Sequence, residues 1–166
     1  MNSRLVRLAA LALIGVGIVL ALADPGPSHA TSGDASDDGV VRMRSAHAHA
    51  DTVARIKADV TAKGIMHFHA VDQSRLAADA GIKLNPSTLL IFGNPGLGSH
   101  FITSNPAAGL DWPVRLLVYE DASGVVWVAY TDFHWIGRRH GIANRKAQLD
   151  MAAMVIASIA SSVAAR

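Results

Sequence analysis

The stretch that decides the fold is residues 114–131, which read VRLLVYEDASGVVWVAYT. Two runs rich in Val, Leu, Tyr and Trp, 114–121 and 125–131, flank a turn that contains Gly124. Such runs around a glycine are typical of a β-hairpin, because glycine supplies the positive φ that tight turns need. Every second residue of each run is apolar, so we expect one face of the hairpin to pack on a core.

The sequence on either side of the hairpin predicts an α+β fold with one compact domain. Upstream, a strand at 40–44, a charged helix at 50–63 and a strand at 65–71 form a β-α-β unit, followed by a short helix at 74–80 and a buried strand at 88–92. Residues 93–113 are rich in Gly, Pro and Asn and are predicted to be a loop. An almost uncharged helix at 144–165 is expected to pack on a mixed sheet.

Composition excludes several classes of protein. The 166 residues contain no cysteine, so disulfides, thiolate nucleophiles, iron–sulfur clusters and Cys-based zinc sites are excluded. A net charge of +2 and an aromatic content of 5% give no basis for binding nucleic acid.

The N-terminal residues predict export. Arg4 and Arg7 precede an uncharged run at 8–23, and Ser28 and Ala30 fit the site that signal peptidase cleaves. We therefore expect a signal peptide at 1–30 that is cleaved after Ala30, a disordered linker at 31–39 and the domain at 40–166. The mature protein would be periplasmic or secreted, with membrane contact only through the signal segment. An uncleaved N-terminal membrane anchor is the alternative.

Several short motifs together resemble the family called domain of unknown function 302. They are LIFGNP at 90–95, GLDWP at 109–113, LVYED at 117–121, YTD at 130–132 and RHG at 139–141. The resemblance covers about 40–160 and implies an α+β domain that is dimeric and bacterial or archaeal, without an assigned activity. This chain has Asp72-Gln73 where many relatives carry an Asp-His pair.

Histidine is the potential metal ligand that the sequence carries in excess, and four of its eight histidines form two His-x-His pairs. Side chains two residues apart on a strand share a face, so His67 and His69 could together hold copper or zinc. His47 and His49 form the other pair. The alternative interpretation places the first pair half-buried in the strand and the second in a solvated loop.

A pocket for a small anionic ligand is the leading site hypothesis, with no catalytic residue assigned. Glycines at 93, 96 and 98 do not have the spacing of a phosphate-binding loop. The candidate pocket residues are Gly93, Asn94, Gly98, Tyr130, Asp132, Arg139 and His140.

The sequence thus predicts an exported, non-catalytic module that binds a small ligand or assists another protein. We expect a homodimer formed through the C-terminal helix, because that helix is apolar on more than one side. The alternatives are a periplasmic copper- or zinc-binding protein, and an enzyme that uses Asp132, Arg139 and His140.

Overall fold

A five-stranded sheet and five α-helices make up residues 36–165, the part of the chain that this computed structural model describes. The predicted signal peptide and most of the predicted linker lie outside the described residues. Within residues 36–165, no helix is both long enough and apolar enough to cross a bilayer. In chain order the elements are β1 (Val40–Arg44), α1 (His49–Ala62), β2 (Met66–Asp72), α2 (Gln73–Asp79), β3 (Ser87–Gly93), α3 (Pro95–Ser104), a 3₁₀ helix (Pro106–Leu110), β4 (Val114–Glu120), β5 (Val126–Thr131), α4 (Phe133–Arg139) and α5 (Lys146–Ser161).

The strands are arranged in the order β1-β5-β4-β3-β2, and every neighbouring pair is antiparallel. The α+β class and the β4–β5 hairpin are therefore confirmed, whereas the expectation of a mixed sheet is wrong. The β-α-β connection exists, but α1 carries the chain across the sheet, so β1 and β2 lie at opposite edges. The three later strands fill the space between them, and no parallel pair forms among the described strands.

One face of the sheet carries the core. Leu90, Leu116, Val118 and Val128, from the three central strands, are fully buried on this face. Helix α1 contributes Ile56 and Val60, and α5 contributes a stripe that ends in a turn after the helix. The residues of this stripe are Leu149, Ala152, Ile156, Ile159, Ala160 and Val163, which are buried, and Ala153, which is half-buried. Burial of this stripe is what attaches α5 to the sheet.

The predicted loop at 93–113 is wrong over most of its length, because it contains α3 and the 3₁₀ helix. The side chain of Asn94 accepts a hydrogen bond from the backbone N–H of Leu97 at 3.3 Å, and Pro95 occupies the first turn. An Asn cap followed by proline is a strong start signal for a helix. Asn105 caps the 3₁₀ helix in the same way by accepting from Ala107 N at 3.0 Å.

Residues 36–39 form a turn that leads into β1. The backbone N–H of Asp132 donates to the carbonyl oxygen of Gly39 at 2.8 Å, which ties this turn to the start of α4. Gly39 has a φ of 75°, and a Cβ there would overlap the indole ring of Trp135. Only glycine combines that backbone conformation with so close an approach.

Candidate functional site

An apolar cleft lies between α3, α5 and the ends of β3 and β4. The cleft is narrow, with a cavity volume of about 40 Å³, and its mouth is open to solvent. Its wall is made mainly of aromatic and aliphatic side chains, including Phe92, Phe101, Trp112, Phe133 and Ile156. Asn94 supplies a polar group at the wall, but its side chain also caps α3. A concave apolar site with few polar groups is the usual form of a small-ligand pocket.

Trp112 forms one wall of the cleft because two glycines make room for its ring. A Cβ at Gly98 would overlap the indole, and a Cβ at Gly93 would lie 3.2 Å from Cζ2 of the same ring. Phe68 meets Trp112 edge to face, with ring centroids 6.2 Å apart. The glycines of the predicted pocket therefore set the position of an aromatic wall; they do not form a phosphate-binding loop.

A second cluster is built around the carboxylate of Asp111. His140 Nε2 lies 2.6 Å from Asp111 Oδ2, Arg139 Nη1 lies 3.1 Å from the same oxygen, and Arg115 Nη2 lies 3.0 Å from Oδ1. The side chains of Asp111 and His140 are only 4% and 6% exposed, whereas those of both arginines are nearly half exposed. The guanidinium of Arg139 also lies over the ring of Trp135, at 5.4 Å from its centroid.

The structure divides the predicted ligand pocket between these two places. Gly93, Asn94 and Gly98 line the apolar cleft, whereas Arg139 and His140 bind Asp111 instead.

The two other predicted pocket residues lie elsewhere. Asp132 caps α4, because its side chain accepts a hydrogen bond from the backbone N–H of Trp135 at 2.8 Å. Tyr130 is 8% exposed in the sheet, and burial raises the pKa of its phenol.

Sequence reasoning missed Asp111 and Trp112 as site residues. Trp112 could have been found from the sequence, because it is an aromatic residue in a glycine-rich segment and glycines mark places where another group approaches the backbone closely. Asp111 gives no such signal, because its partners Arg139 and His140 lie 28 and 29 positions further along the chain. Only the fold brings them together.

A β-bulge in β2 changes the geometry of the predicted metal pair. His67 pairs with Phe92 and His69 pairs with Ile91, so the extra residue between them shifts the register. Directly paired residues share a face, and Phe92 and Ile91 point to opposite faces. His67 and His69 therefore also point to opposite faces, and the expectation that they share one was wrong.

The environments of the histidines differ as well. His67 Nε2 is buried without a hydrogen-bond partner among the described residues, and burial, with smaller effects of Lys57 and His69, lowers the pKa of His67. In the other pair, His49 Nε2 lies 3.2 Å from the carbonyl oxygen of Val118. Residues 36–165 hold no cluster of three or more His, Asp or Glu side chains suited to a metal ion.

Comparison with known proteins identifies the family. Residues 41–161 match the family described as "Domain of unknown function DUF302". The chain belongs to the DUF302 family. A solved DUF302 structure, the "uncharacterized conserved protein DUF302 from Bacillus stearothermophilus", superposes with a TM-score of 0.69 at 13% identity. The superposition covers 75% of this chain and 98% of that one, so the two proteins share the DUF302 fold.

Curated relatives of this DUF302 chain carry a different name. The chain is 39% identical over 106 residues to "Fluoride-specific ion channel FluC 1" of Brucella suis biovar 1 (strain 1330), covering 64% of this chain and 42% of that protein. The match to "Fluoride-specific ion channel FluC 1" of Brucella abortus biovar 1 (strain 9-941) has the same identity and covers 39% of that protein. The chain thus spans about two-fifths of the length of these relatives.

Proposed function

We propose that this DUF302 domain is a non-catalytic module that binds a small apolar molecule in the cleft beside Trp112. The observation that carries the proposal is the composition of the cleft wall, which is aromatic and aliphatic over most of its area. Transfer of an apolar ligand from water into such a site is favoured by roughly 25 cal/mol for each Å² of apolar surface buried. The expectation of an anionic ligand is replaced here, since Arg139, the arginine of the predicted pocket, is bound to Asp111.

The arrangement of the ionisable groups supports a non-catalytic role. Of the residues named for the enzyme alternative, Asp132 caps a helix, and Arg139 and His140 bind a buried carboxylate. A general acid or base must reach a substrate proton within hydrogen-bond distance. The Nε2 atom of His140 is instead 2.6 Å from Asp111 and is enclosed by the fold. The enzyme alternative would need this network to open.

Titration with fluorobenzene, followed by ¹⁹F NMR, tests the proposed cleft. We expect saturable binding with a Kd on the order of 1 mM, which corresponds to about 4 kcal/mol for a ligand of this size. Val155 lines the cleft, so Val155→Phe fills it and should weaken binding at least tenfold.

Met154→Phe is the matched control for this titration. Met154 lies on the same helix but is 67% exposed and does not line the cleft, so its variant should bind as the wild type does. Absence of saturable binding by the wild-type protein, or equal binding by Val155→Phe, would overturn the proposal.

A second candidate function is an accessory role in fluoride handling. It is favoured by the 39% identity to the Brucella proteins named as fluoride-specific ion channels, of which this chain matches only a part. A strain that lacks this chain should then grow more slowly at raised fluoride, and expression of the wild-type chain should restore growth. Equal growth of both strains over a fluoride series would remove this candidate.

Export and metal binding, predicted from the sequence, have their own tests. N-terminal sequencing of the protein recovered from a periplasmic fraction should begin at Thr31 if the signal peptide is cleaved after Ala30. Binding of copper or zinc by His67 and His69 would require either rearrangement of the bulge or ligands from another molecule. Metal analysis of untagged protein should then show a stoichiometric metal that His69→Ala removes, and its absence would end the metal proposal.

A further inference from the structure

A wide groove lies between α4, the connection that follows it and the start of α5. We call it the α4–α5 groove. Its cavity volume is about 380 Å³, against about 40 Å³ for the cleft beside Trp112, and it is open to solvent along one side. Small-molecule sites commonly occupy about 300–1,000 Å³, so the groove has the size of a ligand site.

Small residues keep the α4–α5 groove open. A Cβ at Gly137 would lie 2.7 Å from Leu149 Cδ1, so the backbone of α4 packs directly on α5. The chain then turns at Gly141, whose φ is 60°, and the backbone N–H of Ile142 donates to the carbonyl oxygen of Gly137 at 2.8 Å. This bond is typical of a helix that ends in a Schellman motif. Ala143 follows and adds only a methyl group to the lining of the groove.

One wall of the groove carries positive charge. Arg138 and His134 lie one turn apart on α4, line the groove and have exposed side chains. His134 Nε2 lies 3.7 Å from Asp150 Oδ1, but this carboxylate is already paired with Lys146 at 2.7 Å. Arg138 forms no ion pair with any residue of 36–165. Its guanidinium is therefore free to bind an anion at the groove.

We propose that the α4–α5 groove binds a small organic anion, whose apolar part lies on the floor and whose carboxylate binds Arg138. Ile142 and Leu149 contribute apolar atoms to the floor, and burial of apolar ligand surface against them is favourable. A guanidinium presents parallel N–H donors that match the two oxygens of a carboxylate. An apolar lining with a few polar groups that fix orientation is the usual composition of a small-ligand site. This ligand differs from the uncharged molecule proposed for the cleft.

The proposal keeps the predicted class of ligand but changes the residue that binds it. The sequence predicted an anion at Arg139 and His140, and the structure pairs both of them with Asp111. Successive residues of a helix point about 100° apart, so Arg138 faces the groove while Arg139 faces Asp111. An arginine in the last turn of a helix also interacts favourably with the helix dipole, and that role needs no ligand. Only the ligand-binding role makes binding depend on the charge of the probe.

Titration of protein expressed from the full 166-residue sequence with 4-fluorobenzoate, followed by ¹⁹F NMR, tests the proposal. We expect saturable binding with a Kd on the order of 1 mM. Arg138→Gln removes the positive charge and should weaken binding about tenfold, because a charge-assisted hydrogen bond is lost. The uncharged analogue 4-fluorobenzyl alcohol should bind the wild type about tenfold more weakly than the carboxylate does, for the same reason.

Matched variants control for charge and locate the bound anion. Arg55 is exposed on α1 and does not line the groove, so Arg55→Gln should bind 4-fluorobenzoate as the wild type does. Ala143→Phe fills the groove and should weaken binding about tenfold. Val155→Phe fills the cleft instead and should leave this affinity unchanged, so the groove and the cleft are tested separately.

Three results would overturn the proposal. The first is a wild-type protein that shows no saturable binding of 4-fluorobenzoate. The second is equal affinity of Arg138→Gln and the wild type for the carboxylate, or equal affinity of the wild type for the carboxylate and the alcohol. The third is weaker binding by Val155→Phe together with unchanged binding by Ala143→Phe, which would place the anion in the cleft.

Discussion

Substitution of Gly98 by alanine tests how tightly Trp112 is held against α3. Two effects oppose each other at this buried position. Alanine favours the helix over glycine by about 0.5–1 kcal/mol. The new Cβ, however, overlaps the indole of Trp112, and forcing extra atoms into a packed site costs about 1–3 kcal/mol. Because the overlap is with the ring itself, the cost lies in the upper half of that range, and we expect Gly98→Ala to lower the free energy of unfolding by about 1–2 kcal/mol.

Urea and thermal denaturation measure this effect, and Gly109→Ala is the matched control. For a domain of this size, the expected loss corresponds to a Tm about 3–8 °C lower. A Cβ at Gly109 would have its nearest neighbour, Ile102 Cδ1, at 4.0 Å, so its variant should stay within about 0.5 kcal/mol of the wild type. If Gly98→Ala were as stable as the wild type, Trp112 would not lie against α3, and the wall of the cleft would be wrong.

Three further predictions concern ionisable groups. Asp111→Asn should lower the free energy of unfolding, measured by urea denaturation at pH 7, by about 2–4 kcal/mol. The loss comes mainly from the buried charge-assisted hydrogen bond to His140, because the half-exposed ion pair with Arg139 adds little. A change below about 0.5 kcal/mol would contradict this expectation. Burial lowers the pKa of His67 below its ordinary 6.5, so as the pH drops the unfolded chain protonates this imidazole before the folded protein does. The free energy of unfolding should therefore fall as the pH drops below 6.5, and His67→Phe should reduce this fall. An identical dependence of stability on pH in the variant and the wild type would count against the prediction. Hydrogen bonds from Ser123 and Trp127 lower the pKa of Asp121, so Trp127→Phe should raise it in an NMR titration of the carboxyl group.

Local patterns predicted most elements of the fold because their signals lie within a few residues. The β4–β5 hairpin follows from the runs around Gly124, and the buried stripe of α5 follows from its 3.6-residue period. Helix α3 was missed because three small or helix-breaking residues, Pro95, Gly96 and Gly98, outweighed the cap at Asn94.

Features that depend on distant parts of the chain could not be predicted in this way. The position of β1 and β2 at opposite edges is decided by which strands later fill the sheet. The bulge that separates His67 from His69 exists only in the pairing of β2 with β3. The candidate site has the same origin, since α3, α5 and the segment at Trp112 form the cleft only after they pack together.

The position of a bound apolar probe tests the central claim most directly. Intermolecular nuclear Overhauser effects should be measured between fluorobenzene and the wild-type protein, with its methyl and indole protons assigned. Binding in the cleft predicts contacts to the indole of Trp112 and the methyl groups of Ile156, both of which line it. Contacts confined to exposed apolar residues such as Leu76 or Ile82, or no contacts at all at saturating probe, would contradict the claim that the cleft is the ligand site.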